Sequence, residues 1–455
     1  VTDFSGLEIA GRIATPADAD WDQARLGWNL VADPQPSAVA FVESGDDIAA
    51  VVRFAAENEL RVSGQATGHG AAALGSLEDA ILIKTERMRG IEVDAGAGTA
   101  RVEAGVLSVE LAEAAQAQGL SSLPGSSPDV GVTGFHLGGG LSWFGRQHGF
   151  ACNRVRAIEL ITADGEARTV DADNDPDLFW ALRGGGGDYA IVVALHIDLV
   201  PVEDAYAGAF LWPAGVGADA VRLYRDWAAG VGENVTSVVR FLTPPDVPDV
   251  PEPLRGTPLL TIDGACIGSR EEGEAAFAPL LEIGEPMMST FDQVPPSALC
   301  RIHMDPEQPV PGLGHHTVLR ELPDEAIDVF VSLAGPESGT PLLLTELRHM
   351  GGAMSRPDAN GGALSHLDAE WAMLGIGMPM TPELGQAING QLDRLLEELS
   401  PWRADGGYFN FAERACDADA ILPPEVCARL ADIKRQWDPD GRIIANHAVS
   451  LDPAA

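Results

Sequence analysis

Apolar residues recur at two different spacings along the first two hundred positions. "AVAFVES" (38–44) alternates and reads as a strand, while Ile48, Val51, Val52 and Ala55 fall at helical spacing just after it. Ser44 and Asp47 suit a capping box at the start of that helix. A short strand then leads into "RVSGQATGHGAAALG" (61–75), and "AILIKT" (80–85) is a further strand. "IEVDAGAGTARVEAG" (91–105) predicts a hairpin, and "LSVELAEAAQAQGL" (107–120) a helix ending near Gly119. "RAIELITADGEARTV" (156–170) predicts a second hairpin around Asp164-Gly165, a type I′ turn signal. "DPDLFWALRGGGG" (175–187) reads as a short helix with Asp175 as N-cap and Pro176 in its first turn, followed by a buried strand over 190–200.

These elements define an α+β chain rich in hairpins, without the regular strand–helix alternation of a doubly wound sheet. From about 205 to 400 longer strands and helices follow, joined by proline-rich connectors such as "LTPPDVPDVPEPLRG" (242–256), which reads as an exposed loop. At 455 residues the chain exceeds one ordinary core and is long enough for two or three domains.

Charge narrows the range of partners. The net charge is -39, and of 29 basic residues only Lys84 and Lys434 are lysines. Nucleic acid and anionic membrane are excluded as expected partners. No run of apolar residues is long enough for a membrane helix, and the first residues show no secretory leader pattern. Five scattered cysteines with no CxxC pair argue against a disulfide framework and a zinc site, so a cytoplasmic location is expected and no metal.

Two glycine-rich stretches stand out. The first is 61–75, with His69 between Gly68 and Gly70; the second is "LPGSSPDVGVTGFHLGGGLSWFGRQHG" (123–149). Backbone N–H groups without shielding side chains can wrap a pyrophosphate. In a chain this acidic, backbone rather than lysine would have to hold a phosphate. The spacing Gly131-x-x-Gly134-x-x-x-Gly138 is not the nicotinamide fingerprint, and there is no P-loop.

"GQATGHG", then "SSPDVGVTGFHLGGGLSWFGRQHGFACNRV", then "DLFWALRGGGGDYAIV", with "GGYFNFAE" (406–413) and "DPDGRIIANHAVS" (438–450) near the end, occur in one order. In this the chain resembles the berberine-bridge-enzyme-like FAD-linked oxidases of the vanillyl-alcohol oxidase/p-cresol methylhydroxylase superfamily. The likeness covers most of 30–200 and 405–450. It implies a two-domain fold: an FAD-binding domain over 1–203 and 403–455, with an inserted substrate domain over 204–402, an antiparallel sheet covered by helices. It also implies FAD bonded covalently through His69. Ser127 stands where many relatives carry a second, cysteinyl attachment, so a single tether is expected; Cys152, 25 residues on, reads as a buried small hydrophobe. By the same likeness the cofactor is held by Gly64, Gln65, Ala66, Thr67, Gly68, His69 and Gly70 of the first loop. The second loop contributes Pro124, Gly125, Ser126, Val130, Gly131, Gly134, Phe135, Gly138 and Gly139; Ile191, Asn410 and Asn446 complete the set.

For the chemistry, "LLLTELRHMGGAMSR" (342–356) places Leu344, Glu346 and Arg348 on one strand face and Thr345, Leu347 and His349 on the other. Glu346 is the first candidate acid/base group, the alternative being a surface glutamate paired with Arg348. Tyr408 matches a family tyrosine with a catalytic part, the alternative being a buried structural tyrosine. His136, His349 and His366 are candidate substrate contacts, while Trp143 and His148 read as structural. The expected activity is hydride removal from an alcohol or amine carbon of a small molecule, a secondary metabolite or sugar of bacterial metabolism. Dioxygen is the expected acceptor, giving hydrogen peroxide. The alternatives are a flavin dehydrogenase with another acceptor, an oxidative cyclase or monooxygenase, and a non-catalytic binding protein.

Overall fold

The computed structural model describes residues 2–248 and 250–451. Three sheets organise them. A four-stranded sheet runs in the order Arg12–Ala14, Ala38–Phe41, Ala80–Lys84, Arg61–Gln65, with its last three strands parallel. An antiparallel five-stranded sheet runs Ile91–Asp94, Thr99–Glu103, Ala190–Asp198, Val155–Thr162, Ala167–Asp171. The third sheet is also antiparallel. Its main path is Met288–Ser289, Ala205–Pro213, Leu259–Cys266, Val235–Leu242, Leu344–His349, Trp371–Gly377, Leu313–Leu319, and Asp292–Val294 pairs with Ala205–Pro213.

The helix Gly45–Glu57 buries Ile48, Val51, Val52 and Ala55, the face its periodicity predicts. Ser44 accepts from the Asp47 N–H, but Asp47 does not return the bond to Ser44. Its carboxylate instead accepts from the N–H groups of Ala10, Gly11 and Glu43, stapling the N-terminal segment to the helix start, so no reciprocal box forms. The hairpin at 156–170 also differs from expectation. Gly165 alone has positive φ (80°), and its N–H bonds to the Thr162 carbonyl. A type I′ turn needs positive φ at both central residues, so this is a longer connection. Pro176 does open the helix Pro176–Ala181, but Asp175 lies in the left-handed region (φ 51°) and makes no side-chain cap. The backbone there turns too sharply for the carboxylate to reach the first N–H groups.

In the third sheet, side-chain alternation sets two faces. On one face Leu347, Val239, Phe241, Ile262 and Met373 form a core with the helices Gly217–Ala228, Asp324–Ala334 and Pro382–Glu398. The opposite face carries Arg240, Asp263, Glu346 and Arg348. Register puts Arg240 between Thr261 and Glu346 on neighbouring strands.

The C-terminal return is fixed by one of the two lysines. Lys434, on the helix Pro424–Trp437, is buried and donates to the Asp188 carboxylate (3.0 Å), the Asp438 carboxylate (2.7 Å) and the Ile443 carbonyl (3.1 Å). Asp438 in turn accepts from the N–H groups of Arg442 and Ile443, and Asp188 accepts from Val449. Residues 442–444 are thereby laid alongside Val62 at the edge of the first sheet. Lys434→Ala leaves two buried carboxylates facing each other without a cation, and is expected to lower unfolding free energy by about 3–5 kcal/mol in denaturant titration.

Candidate active site

Both glycine loops open onto one cavity of about 450 Å³, whose far wall is the polar face of the third sheet. The first loop follows the strand Arg61–Gln65. It is clamped from outside by Trp28, whose N–H bonds to the Thr67 carbonyl, and by Asn446, whose Nδ2 donates to the Gly70 carbonyl at 2.8 Å. The second loop is clamped by Asn410, which accepts from the Gly140 N–H at 2.7 Å and donates to the Gly134 carbonyl at 3.3 Å. Each of these asparagines therefore fastens one loop and also lines the cavity.

Close approach explains the glycines. A Cβ on Gly131 would lie 2.9 Å from the Ala66 Cβ, and one on Gly68 2.8 Å from the Gly27 Cα at a φ of 81°. The second loop's backbone meets the first loop at the Ala66 methyl, and a larger residue at Gly131 has no room there. Of the expected cofactor residues, all but Pro124 and Gly139 line the cavity. Those two stand behind it: the Pro124 carbonyl accepts from Ser142 Oγ, and Gly139 (φ 122°) packs against Leu364.

His69 lines the cavity with its ring stacked on Trp28, centroids 4.0 Å apart and planes 17° from parallel. Its Nε2 is 3.2 Å from Asp129, but the ring is turned so that neither atom completes a hydrogen bond. Trp28 Nε1 does donate to the other Asp129 oxygen. Burial works to raise the Asp129 carboxyl, yet the contacts from His69 and Trp28 outweigh it and hold it below the ordinary range. Ser127 lines the same cavity, with its Oγ 3.4 Å from Asp305. Cys152 is buried elsewhere, its thiol against the Leu364 carbonyl and pushed up by burial to about 12, an inert packed sulfur.

The two acid/base candidates separate. Glu346 faces the cavity while buried, in a 2.5 Å contact with Arg348 Nε, whose guanidinium also lies over Phe411. Tyr408 does not line the cavity. It is fully buried among Phe150, His316 and Phe411, its hydroxyl has no hydrogen-bond partner, and burial raises its phenol well above 10. This corrects the expectation of a base at Tyr408: a phenol so held stays protonated.

The three histidines expected at the substrate are also corrected, for none lines the cavity. His136 is buried in the helix Val132–Leu137, its Nδ1 2.8 Å from the Val132 carbonyl and its pKa lowered by burial to about 4. His349 stacks on Trp371 on the helix-covered side, as strand alternation from Glu346 requires. His366 is exposed. Trp143 is buried in the core and His148 is half-buried; neither lines the cavity. In place of the three histidines the cavity wall carries His303 and Asp305, from the loop after Pro296–Arg301, and Glu413. No spacing or motif marks "RIHMDPE", and only the fold brings it to the sheet.

Residues 36–171 match the FAD binding domain family. Over 98% of both chains the protein is 28% identical to (R)-6-hydroxynicotine oxidase of Paenarthrobacter nicotinovorans. It superposes on the berberine-bridge-enzyme-like 1 protein of Physcomitrella patens with a TM-score of 0.84 at 18% identity, over 97% of each chain. A glucooligosaccharide oxidase of Acremonium strictum, described as carrying 6-S-cysteinyl, 8α-N1-histidyl FAD, superposes with a TM-score of 0.77 at 21% identity over 98% of each. Fold and cavity thus define a two-domain flavoprotein. The chain is an FAD-linked oxidoreductase with the fold of the berberine-bridge-enzyme-like proteins.

The residues present fit FAD. The slot would be closed by a Cβ at Gly131, and the buried Thr133 hydroxyl on the cavity wall has no partner. No helix among the described residues is long and apolar enough to cross a membrane.

Glu413, half-buried, is pushed up from 4.5 to about 7 by burial, with only an Asn29 hydrogen bond (3.4 Å) opposing. The folded state therefore holds a proton that the unfolded chain releases, so stability from this group is present below 4.5 and falls as pH rises to about 7. Glu413→Gln is expected to flatten the pH dependence of the melting temperature across that window and to melt higher than the parent above it. An unchanged slope would contradict the assignment.

Proposed function

We propose that this protein is an oxidase of small-molecule amines or alcohols, carrying FAD bonded through His69 alone and using dioxygen as acceptor. The observation that carries this reading is the continuity of one cavity from both glycine loops to the Glu346–Arg348 face of the third sheet. Residues 1–203 and 403–455 are taken as the cofactor-binding domain and 204–402 as the substrate domain. Bound FAD supplies a hydride acceptor that can return its electrons to dioxygen as hydrogen peroxide.

The chain's own residues do the rest. The slot between the loops holds the cofactor by backbone, in keeping with a cavity whose one arginine, Arg348, lies on the opposite wall. Trp28, itself held by Asp129, fixes the plane of the His69 ring by stacking. Ser127 offers no thiol, which supports a single attachment. Glu346 takes the proton that leaves the substrate heteroatom, and Arg348 holds that carboxylate in place. Leu344, Leu374 and Ile376 give the substrate end apolar walls.

The test is anaerobic mixing of the yellow protein with candidate amines and alcohols. A substrate bleaches the flavin absorbance, and admitting air restores it with formation of peroxide. Bleaching without restoration in air would replace the oxidase reading by a dehydrogenase. Glu346→Gln is expected to slow bleaching about 10²–10⁴-fold with flavin content unchanged, the range for loss of a general base. An unaltered rate would remove Glu346 from the chemistry.

A further inference from the structure

The polar wall of the cavity contains a carboxylate without a cation of its own. Arg240 and Asp263, at 1% and 0% exposure, form a two-pronged pair at 2.6 and 3.1 Å. Arg348 is committed to Glu346 at 2.5 Å. These four charges cancel. Asp305 remains: its nearest cationic atom is Arg240 Nη1 at 4.0 Å, and its hydrogen bond from Ser127 is long at 3.4 Å. A carboxylate can accept about four hydrogen bonds, so much of its capacity is open.

His303 does not supply the missing charge. It is buried, its Nδ1 is 3.8 Å from Asp305, and Trp143 meets its ring edge-on at 5.1 Å. Burial and the two arginines drive its pKa well below 6.5, so the ring is neutral. His303 lines the cavity at 3% exposure, with its Nδ1 side toward Asp305 and its buried Nε2 3.9 Å from Asp263. Between the two residues, Met304 adopts a left-handed backbone (φ 55°) with its side chain exposed, which turns both His303 and Asp305 inward. Such a conformation is costly for a non-glycine residue, by about 1–2 kcal/mol.

A carboxylate with open hydrogen-bonding capacity, an uncharged imidazole ring beside it and apolar walls at Leu344 and Ile376 match one ligand chemistry. We propose that Asp305, with His303, forms a subsite for a protonated amine nitrogen, so that the substrate is a cationic amine with an apolar body rather than a neutral alcohol or sugar. The ammonium donates an N–H to Asp305, beside the neutral His303 ring. This rests on the oxidoreductase reading and narrows its substrate class.

The test uses the full-length holoprotein and a matched pair of probes, benzylamine hydrochloride and benzyl alcohol, titrated by calorimetry at neutral pH. The two share an apolar body and differ in charge. The parent is expected to bind the ammonium at least roughly tenfold more tightly than the alcohol, the scale of one charge-assisted hydrogen bond. Asp305→Asn should erase that preference and leave the affinity for the alcohol unchanged, while Asp305→Glu should keep part of it. Equal binding of the two probes, binding of neither, or a preference that survives Asp305→Asn overturns the proposal. A parent that shows no amine preference yet is bleached by neutral alcohols loses the subsite and keeps the oxidase reading. A parent that prefers the amine but holds no flavin keeps the subsite and loses the oxidase reading.

Discussion

Everything at this site depends on two loops approaching each other so closely that Gly131 has no room for a Cβ against Ala66. At Gly131 and Ala66 the distance available to a new Cβ is 2.9 Å, within the range that real carbon atoms do not occupy. That constraint accounts for the glycines and for the outer clamps by Asn410 and Asn446. It also accounts for the buried Lys434 network, which carries residues 438–449 back across the chain to the first loop. A loop stripped of side chains has no packing of its own to hold its shape. The rigidity therefore comes from residues hundreds of positions away in sequence.

The second organising feature is charge placed against the overall balance. The chain carries a net -39, yet both of its lysines are buried and each serves a backbone carbonyl: Lys84 that of Leu26, Lys434 those of Asp188 and Ile443. Neither lysine reaches the cavity and its arginine, Arg348, lies on the far wall, which leaves peptide N–H groups to meet a pyrophosphate between the loops. On the opposite wall, buried arginines are matched to carboxylates along one strand (Arg348 with Glu346) or on the neighbouring one (Arg240 with Asp263), which keeps ion pairs together where desolvation would penalise a lone charge. Asp305 departs from that matching.

Much of this was legible in the sequence because local rules apply to it. Glycine loops, the helix face of Ile48, Val51, Val52 and Ala55, and the alternation through Leu344, Glu346 and Arg348 depend on spacings of a few residues. The same alternation should have moved His349 to the helix side, where it stacks on Trp371; its chemical type outweighed its position in the sequence reading. Tyr408 was placed correctly in its motif, but burial, which no motif encodes, turns it away from the cavity. His303 and Asp305 were invisible for another reason. They sit on an irregular loop with no periodicity, and their neighbours Arg240, Asp263 and Ser127 are 40 to 180 residues distant, joined only when the third sheet folds over the second loop.

The central claim is that His69 is the single covalent anchor of a flavin lying in the slot between the loops. The most direct measurement is to denature the purified yellow protein in acid and ask whether flavin fluorescence stays with the chain, for the parent and for His69→Ala. The account predicts that flavin stays with the parent through denaturation and is released completely from His69→Ala. Release from both would contradict a covalent bond, and retention by His69→Ala would place the bond on another residue.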